Sequence, residues 1–343
     1  MTEPADRENP LDTLRLHTDD SVVIALKDLP ASTYLPQVPC SLRHGVARGH
    51  KIATRPIAQG ENVLRYGQII GQATQPIAIG DHVHVHNLAM VDHKQAHDFG
   101  SAATPLQPIQ DERTFQGYLR EDGKAGTRNY LGIVTTVNCS GSVARFIAEA
   151  ASKDGFAQRF PGIDGVVPIV HGTGCGMSAN NEGYQALFRT LSGYACHPNF
   201  AGILLLGLGC EVMQLSELVD GRRIRSDGNL RYMNIQQTGG TAKTVQEGLA
   251  ILEDMAAAAS LLQRQPISVS ELTVGLQCGG SDGYSGITAN PALGHASDLL
   301  VRRGGTTVLS ETSEIYGAEH LLTARASSAA VGEKLLDRIK WWE

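Results

Sequence analysis

The sequence predicts an α/β protein in which a small all-β domain precedes a larger region of alternating strands and helices. Short β-type runs separated by glycine turns fill residues 11–90. Apolar strand-like runs then alternate with amphipathic helical patterns from residue 115 onward. Because strands that alternate with helices are joined by crossover connections, the second pattern predicts a parallel sheet with both faces buried.

The predicted all-β domain spans 11–90, and a linker spans 91–114. The strand-like runs of the domain are SVVIAL, HKIATRPI and HVHVHN, with glycine turns in AQGEN and AIGDH. The linker contains FGSAATPLQPIQDERT, which has two prolines and little periodicity. The remaining residues, 115–343, form the predicted α/β region.

The α/β region contains six successive units of strand, polar loop and helix. The strands are predicted in LGIVTTV, GVVPIV, GILLLGLGCE, RYMNIQ, LTVGLQ and GTTVLSETSE. Open α/β sheets bind ligands outside the carboxyl ends of their strands. We therefore expect the six polar loops to converge on one shared edge and to form a site there.

The most reactive of these loops lies in LQCGGSDGYSGITANP, residues 276–291. It places a thiol, an acid, several hydroxyls and four glycines between a strand and a helix. We expect the helix to begin with Asn290 as N-cap and Pro291 as its first residue, so that free N–H groups face the loop. This composition favours a small-molecule site, and a plain glycine-rich connection is the alternative.

The composition excludes other classes of function. The 343 residues carry a net charge of −6 and only 5% aromatic residues, so no basic surface for nucleic acid is indicated. The first twenty residues are polar and acidic, unlike a signal peptide, and no apolar run is long enough to cross a bilayer. We expect a cytoplasmic protein with no nucleic-acid or membrane partner.

The six cysteines have no CxxC spacing, and disulfides are rare in the expected compartment. Four of them follow predicted strands: Cys139, Cys175, Cys210 and Cys278. Each is either a small packing residue or part of a site, and two or three together have the chemistry to bind iron.

A separate group of residues in the all-β domain has the chemistry of a metal site. His82, His84 and His86 alternate with valines, and in a strand this spacing places the three imidazoles on one face. Neutral imidazole is a good ligand for divalent iron, manganese or zinc. We predict His84 and His86 as ligands, with His82, Cys175 and Cys278 as further candidates. A histidine-rich exposed strand without a ligand is the alternative.

These segments together resemble the altronate and galactarate dehydratases and the related sulfolactate sulfo-lyases. The resemblance rests on ARGHK, GDHVHVHN, GTRNY, GLGCE, CGGSDGYSGITANP and YGAE, which occur in the order of that family. It implies an N-terminal SAF-type β-clip domain followed by an α/β catalytic region. Members of the family continue beyond the position of Glu343, so we expect this chain to be a fragment or the N-terminal portion of a longer or split protein.

The resemblance implies elimination of water from an aldonate or aldarate such as D-altronate, giving a 2-keto-3-deoxy acid. It leads us to expect a divalent metal ion as cofactor, with Fe²⁺ as the first choice and Mn²⁺ as the second. An iron–sulfur cluster is the less expected alternative. Galactarate dehydratase, sulfolactate sulfo-lyase and an inactive ligand-binding fragment stay open as alternatives. The expected partner is a small sugar acid, bound by a homo-oligomer.

This elimination needs a base, a group that stabilises the enediolate charge, and an acid for the departing hydroxyl. The candidate catalytic residues are His171, Asp282 and Glu311, with His171 as the first choice for base or acid. The candidates for substrate binding are Arg128, Asn129, Gly279, Gly280, Ser281, Thr288 and Asn290. The alternatives are structural, namely a hydrogen-bonded His171 and an Arg128 that pairs with a nearby acid.

Overall fold

The computed structural model describes residues 12–91, 96–153, 155–179, 181–220, 229–280 and 282–343. Contacts divide these residues into two compact units. The first unit contains 12–107, Val274–Arg302 and Thr307–Glu343, and the second contains Pro108–Thr273 and Arg303–Thr306. The two ends of the described chain therefore fold into one unit. The predicted boundaries of 11–90, 91–114 and 115–343 follow changes of sequence pattern and stay a prediction.

The N-terminal part of the first unit is all-β, in agreement with the sequence. Its strands are β1 (Thr13–Leu14), β2 (Val22–Ala25), β3 (Tyr34–Leu35), β4 (Cys40–Ser41), β5 (Lys51–Ala53), β6 (Asn62–Arg65), β7 (Gln68–Ala73), β8 (His82–Val83) and β9 (Leu88–Ala89). They form antiparallel sheets with the orders β1-β2-β5-β8, β3-β4 and β6-β7-β9. Ile52 and Val63 are fully buried, one in each of two apolar clusters.

The histidine-rich strand is shorter than predicted. It ends at Val83, because the side chain of Asn87 folds the following residues into a turn. The Asn87 Oδ1 accepts from the His84 N–H at 3.0 Å, and its Nδ2 donates to the His82 carbonyl at 3.0 Å. The prediction of one continuous strand carrying His82, His84 and His86 is therefore wrong.

The second unit contains the predicted parallel sheet. Its strands are β10 (Thr114–Leu119), β11 (Ala125–Gly126), β12 (Tyr130–Thr135), β13 (Gly165–Ile169), β14 (Phe200–Gly207), β15 (Leu230–Asn234) and β16 (Gln265–Ser268). Its helices are α1 (Gly141–Lys153), α2 (Phe156–Arg159), α3 (Glu182–Ala195), α4 (Leu215–Asp220), α5 (Ile235–Thr238) and α6 (Thr241–Ala259). The parallel sheet has the order β13-β12-β14-β15, and β11-β10-β16 is a separate antiparallel sheet.

Helices cover the parallel sheet on both faces. Ile147 of α1 and Leu252 of α6 belong to one buried cluster, and Leu191 of α3 and Leu218 of α4 belong to the other. Strand β14 is buried along its whole length, as expected for a central strand between two helical layers. Gly248 lets α6 approach α1 closely, since a Cβ atom there would lie 2.6 Å from the Ile147 side chain.

The C-terminal part of the first unit contains a small sheet and three helices. These elements are β17 (Thr273–Leu276), α7 (Ala289–Val301), β18 (Thr306–Leu309), α8 (Glu319–Thr323) and α9 (Ala329–Trp342). Large apolar side chains are exposed here, including Leu309, Trp341 and Trp342. Among the described helices, none has both the length and the apolar character that crossing a membrane requires.

All six predicted strands of the α/β region exist, but they do not share one sheet. Strands β12 to β15 form the parallel sheet of the second unit, and β17 pairs with β18 in a two-stranded sheet. The polar loops therefore fall into two groups, and the prediction of six loops on one shared edge is wrong. A local apolar run identifies a strand, whereas its pairing depends on contacts that are distant in the sequence.

Candidate functional site

Glu311 is the carboxylate that holds the start of the polar loop after β17. Its Oε2 accepts from the Cys278 backbone N–H at 3.0 Å, and its Oε1 accepts from the Gln277 side-chain amide at 3.1 Å. Both donors lower the pKa of Glu311 below its usual value, and the Cys278 N–H has the larger effect. Glu311 is therefore ionised at neutral pH, which suits a base or a metal ligand better than an acid.

The backbone of Glu311 adopts a conformation that is unusual for a residue with a side chain. Its φ of 61° and ψ of 48° lie in the left-handed region. Holding a residue there costs about 1 kcal/mol or more, and such strain clusters at functional sites. The strain points to a function that requires a carboxylate at this position.

Asp282 fixes the next turn of the same loop. Its Oδ1 accepts from the backbone N–H groups of Tyr284 at 2.6 Å and Ser285 at 2.8 Å. Both bonds use the same oxygen, and among the described residues Oδ2 has no hydrogen bond. The loop therefore carries Asp282, while Glu311 approaches the start of the loop from the segment after β18.

The loop rests on the N-terminal part of the first unit. Gly283 packs directly on Gly49, since a Cβ atom added to Gly283 would lie 3.0 Å from the Gly49 Cα. The Tyr284 hydroxyl donates to the Ala25 carbonyl at 3.0 Å, and the Arg48 guanidinium lies 4.5 Å from the centroid of the Tyr284 ring. The ARGHK segment and the glycine-rich loop are thus in contact, although more than two hundred residues separate them in the sequence.

Tyr66 provides a second anchor for the loop. Its hydroxyl donates to the carbonyl of Gly286, near the end of the loop. The backbone of Tyr66 has a φ of 59°, which is again in the left-handed region. Two tyrosines therefore hold the loop between Asp282 and Gly286 on the N-terminal part.

A cluster of four imidazoles begins at His50, the residue after Gly49. The His50 Nδ1 lies 2.8 Å from the His82 Nε2. The ring centroid of His82 lies 4.9 Å from that of His50 and 5.4 Å from those of His84 and His86. The sequence analysis did not include His50, because its proximity follows from the pairing of β5 with β8. The available signal was the position of His50 at the start of the strand-like run HKIATRPI.

His82, at the centre of the cluster, is neutral at physiological pH. Burial, followed by the proximity of His50, His84 and His86, lowers the pKa of His82 to about 4. Neutral imidazole is the form that binds metals, so the chemistry of the cluster fits a divalent transition metal. In the part of the chain that the structure describes, no three His, Cys, Asp or Glu side chains already converge as ligands of one ion. Metal binding here would require the rings to turn.

Replacing Gly283 with alanine is expected to displace the loop. The added Cβ would lie 3.0 Å from the Gly49 Cα and 3.1 Å from its carbonyl oxygen, so backbone has to move. We expect a loss of about 1–3 kcal/mol in the free energy of unfolding, measured in urea. Gly286→Ala is the control, because its Cβ would meet only the Tyr66 hydroxyl at an ordinary 3.5 Å. Equal stability of the two variants would contradict the close packing.

The remaining predicted residues of this loop occupy an open surface. A Cβ atom at Gly279 or Gly280 would meet nothing within 4 Å, so packing does not explain these glycines. Helix α7 begins at Ala289 with Thr288 as N-cap, so the prediction of Asn290 as N-cap is wrong. Asn290 is exposed in the first turn of the helix. Ser281 lies outside the described residues.

His171 lies at the carboxyl end of β13 in the second unit. Its Nε2 lies 3.0 Å from the Thr135 carbonyl, and its Nδ1 accepts from the Thr173 N–H at 3.3 Å. This pattern corresponds to a neutral ring with its proton on Nε2. Because both nitrogens have backbone partners, His171 has to break a hydrogen bond to act as a base. Cys139, Cys175 and Cys210 are exposed in the loops at the same end of the sheet.

Asn129 belongs to a buried polar network rather than to an open surface. Its side chain is fully buried, and its Oδ1 accepts from Arg120 Nη1 at 2.9 Å. Its Nδ2 donates to the carbonyls of Gly162 at 2.9 Å and Ala259 at 3.1 Å. The neighbouring Arg128 is exposed and donates to the Thr127 carbonyl at 3.2 Å. Arg128 is therefore accessible to a carboxylate, whereas Asn129 is not.

Glu211 is a buried carboxylate to which the sequence analysis gave no role. Its Oε1 accepts from the Thr136 hydroxyl at 2.6 Å, and its Oε2 accepts from the Gly209 N–H at 2.6 Å. It thereby ties the loop after β14 to the end of β12. The signal in the sequence was an acid directly after a strand, in the GLGCE segment.

Three family models match successive parts of the chain. The altronate/galactarate dehydratase SAF domain matches residues 11–91, and the second domain of D-galactarate dehydratase/altronate hydrolase matches 117–260. The D-galactarate/altronate dehydratase C-terminal model matches 269–343. The SAF match and the parallel sheet of the second unit confirm the predicted fold class.

Individual proteins are also similar along almost the whole chain. The altronate dehydratases of Bacillus subtilis (strain 168) and Escherichia coli (strain K12) are 36% and 37% identical to it, over 95% of this chain. The galactarate dehydratase (L-threo-forming) of Escherichia coli (strain K12) is 35% identical over 96%. The alignments cover 65% of the length of each of these curated relatives. The chain belongs to the altronate/galactarate dehydratase family.

Proposed function

We propose that this chain carries substrate-binding and proton-transfer groups of a metal-assisted sugar-acid dehydratase. The substrate is an aldonate or aldarate such as D-altronate, and the product is a 2-keto-3-deoxy acid. The observation that carries the proposal is Glu311, an ionised carboxylate on a strained backbone that holds the open loop after β17. The relatives named altronate and galactarate dehydratase support the choice of substrate.

Glu311 and Asp282 have different roles in the proposed reaction. Glu311 takes the weakly acidic proton next to the substrate carboxylate, because it is ionised at neutral pH. Asp282 keeps Oδ1 in its turn, and its Oδ2 passes a proton to the departing hydroxyl, so that the C–O bond breaks and water leaves. His171 stays the alternative for either role: as an acid it would give up its bond to the Thr135 carbonyl, and as a base the bond from the Thr173 N–H.

The polyol chain of the substrate would lie along the open part of the loop. Backbone N–H groups at Gly279 and Gly280 are proposed to contact it, because both residues are exposed. Ser281, Thr288 and Asn290 are proposed to bind its hydroxyls. In the second unit, the exposed Arg128 is proposed to bind a carboxylate. Asn129 could bind substrate only if its buried hydrogen-bond network opened.

A divalent metal is part of the proposal, with Fe²⁺ before Mn²⁺. His84 and His86 are the proposed ligands, together with His82, while Cys175 and Cys278 are alternatives. When bound, the metal would act as a Lewis acid that stabilises the enediolate charge. The exposed cysteines of the second unit keep an iron–sulfur cluster as the less favoured alternative.

Removing metal from the full chain is expected to abolish dehydration, and adding Fe²⁺ is expected to restore it. The measurement is the 2-keto-3-deoxy product formed from altronate, galactarate and their epimers, with and without a chelator. Undiminished activity after exhaustive chelation would contradict the role of the metal. A panel without any product would contradict the sugar-acid substrate, and sulfite release from sulfolactate would assign a sulfo-lyase instead. Sugar-acid binding without turnover would assign a ligand-binding module.

Two further expectations from the sequence are kept as proposals. The chain is proposed to assemble as a homo-oligomer, which light scattering coupled to size exclusion tests directly. It is proposed to act in the cytoplasm, where free cysteines such as the exposed Cys139 and Cys210 stay reduced.

A further inference from the structure

We infer that His50, His82, His84 and His86 form one binding site for a divalent transition-metal ion, centred on His82. This inference rests on the proposed function in that it gives the proposed metal a defined place. It adds His50, which the spacing of the histidines in the sequence does not include. Binding of the ion itself does not depend on turnover, so the two can be tested separately.

The pairing of β5 with β8 brings the first three imidazoles together. Ile52 lies opposite His82 in this antiparallel pair, and Lys51 lies opposite Val83. Continuing the register places His50 opposite His84, on the same face as His82. The rings of His50 and His84 are indeed stacked, with centroids 5.3 Å apart.

The turn after β8 adds the fourth imidazole. Asn87 is buried and binds the backbone at both His82 and His84, which fixes the path of the turn. This path returns His86 to the ring of His82, at a centroid separation of 5.4 Å. A continuous strand would have moved His86 further along the sheet, away from His50.

The spacing of the rings matches that of imidazoles bound to one ion. A metal–nitrogen bond of about 2.1 Å puts the ring centroid about 3.2 Å from the metal. Neighbouring ligands in tetrahedral or octahedral geometry then have centroids about 4.5–5.2 Å apart. The separations in the cluster are 4.9, 5.3, 5.4 and 5.4 Å. The backbone therefore already places the rings at nearly the distance that an ion requires.

The change needed for binding is a rotation of side chains. In the ligand-free arrangement His50 Nδ1 and His82 Nε2 share one proton across 2.8 Å. When an ion binds both nitrogens, that proton moves to the other nitrogen of the ring that carries it, and the two bound nitrogens separate to about 3.0–3.4 Å. His84 and His86 are exposed, and exposed side chains change rotamer within nanoseconds. This rotation explains why no three donors converge among the described residues before an ion is bound.

The ligand set determines which ions the site takes. Four imidazoles favour cobalt, nickel, copper, zinc and ferrous iron, whereas magnesium and calcium prefer carboxylate and carbonyl oxygens. We therefore expect binding of Co²⁺ that Zn²⁺ displaces and Mg²⁺ does not.

Titrating the metal-free full chain with Co²⁺ tests the inference. The visible absorption of bound Co²⁺ reports imidazole ligands without any need for turnover. We expect one ion per chain, and an affinity lowered about tenfold or more in His50→Ala and in His82→Ala. His44→Ala is the matched control, since His44 is exposed and outside the cluster. Because His84 and His86 are exposed, His84→Gln and His86→Gln supply variants in which a loss of affinity cannot reflect unfolding.

Absence of Co²⁺ binding, or an affinity unchanged in both His50→Ala and His82→Ala, would overturn the inference. Co²⁺ binding at the cluster without dehydration of any sugar acid would support it and contradict the proposed function. If Co²⁺ binding were lost in His50→Ala while metal-dependent dehydration persisted, the metal site would stand and the catalytic metal would lie elsewhere.

Discussion

Replacing Glu311 with glutamine is expected to lower kcat for sugar-acid dehydration by about 100- to 10,000-fold, the range that general base catalysis contributes. Glutamine keeps one oxygen that can accept from the Cys278 N–H, but its amide nitrogen can neither take a proton nor accept from the Gln277 side chain. Because the bond to the loop backbone is kept, KM is expected to change much less than kcat. Steady-state kinetics on the preferred substrate of the panel measure both parameters.

Glu314→Gln is the matched control for this change. Glu314 is exposed three residues further along the chain, and only its backbone N–H contacts Glu311. A kcat for Glu311→Gln within about threefold of the unchanged protein would exclude Glu311 as the base. An equal loss in Glu314→Gln would show that the effect comes from charge in general and not from a specific proton transfer.

The elements of the fold are well predicted by local sequence. The strands β12 and β14 are identified by continuous apolar runs, because they are buried on both faces. The helices α1 and α6 are identified by apolar residues at helical spacing, because each buries one stripe of its surface. The grouping of β17 and β18 away from the parallel sheet leaves no such local mark. It depends on which surfaces pack, so it emerged only from the structure.

The candidate site shows the same division. Glu311 and Asp282 were found because each is an acid in a polar segment that follows a predicted strand, and the structure shows Glu311, after β18, holding the start of the loop that contains Asp282. His50 was missed because only the pairing of β5 with β8 brings it to His82. The three histidines were correctly grouped for a wrong reason, since a turn fixed by Asn87 and not a strand brings His86 back.

Polar residues at strand ends also satisfy buried backbone groups, and sequence alone does not separate this use from ligand binding. His171 binds the Thr135 carbonyl, and Asn129 binds two carbonyls and a guanidinium. A buried backbone carbonyl needs a partner wherever helices and strands end. Such residues therefore look functional in the sequence, and the distinction needs a measurement that separates stability from substrate affinity.

Asn129→Ala is expected to destabilise the second unit by about 3–5 kcal/mol. The change removes three hydrogen bonds and leaves Arg120 Nη1 and the carbonyls of Gly162 and Ala259 without that partner in the interior. Each buried group left unsatisfied costs about 1–3 kcal/mol. The Ala259 carbonyl keeps the Leu262 N–H at 3.2 Å, so the cost falls mainly on the Gly162 carbonyl and on the lost bond to Arg120, which share one site and are not simply additive. Urea denaturation followed by far-ultraviolet circular dichroism measures the loss.

Arg128→Ala separates the two explanations for the GTRNY segment. Arg128 is exposed beside Asn129, and its removal is expected to change the free energy of unfolding by less than about 0.5 kcal/mol. If Arg128 binds the substrate carboxylate, this variant raises KM without loss of stability. If Asn129→Ala instead raised KM and left the unfolding transition unchanged, Asn129 would be a substrate ligand. Its buried hydrogen bonds would then not be what holds the start of β12 in place.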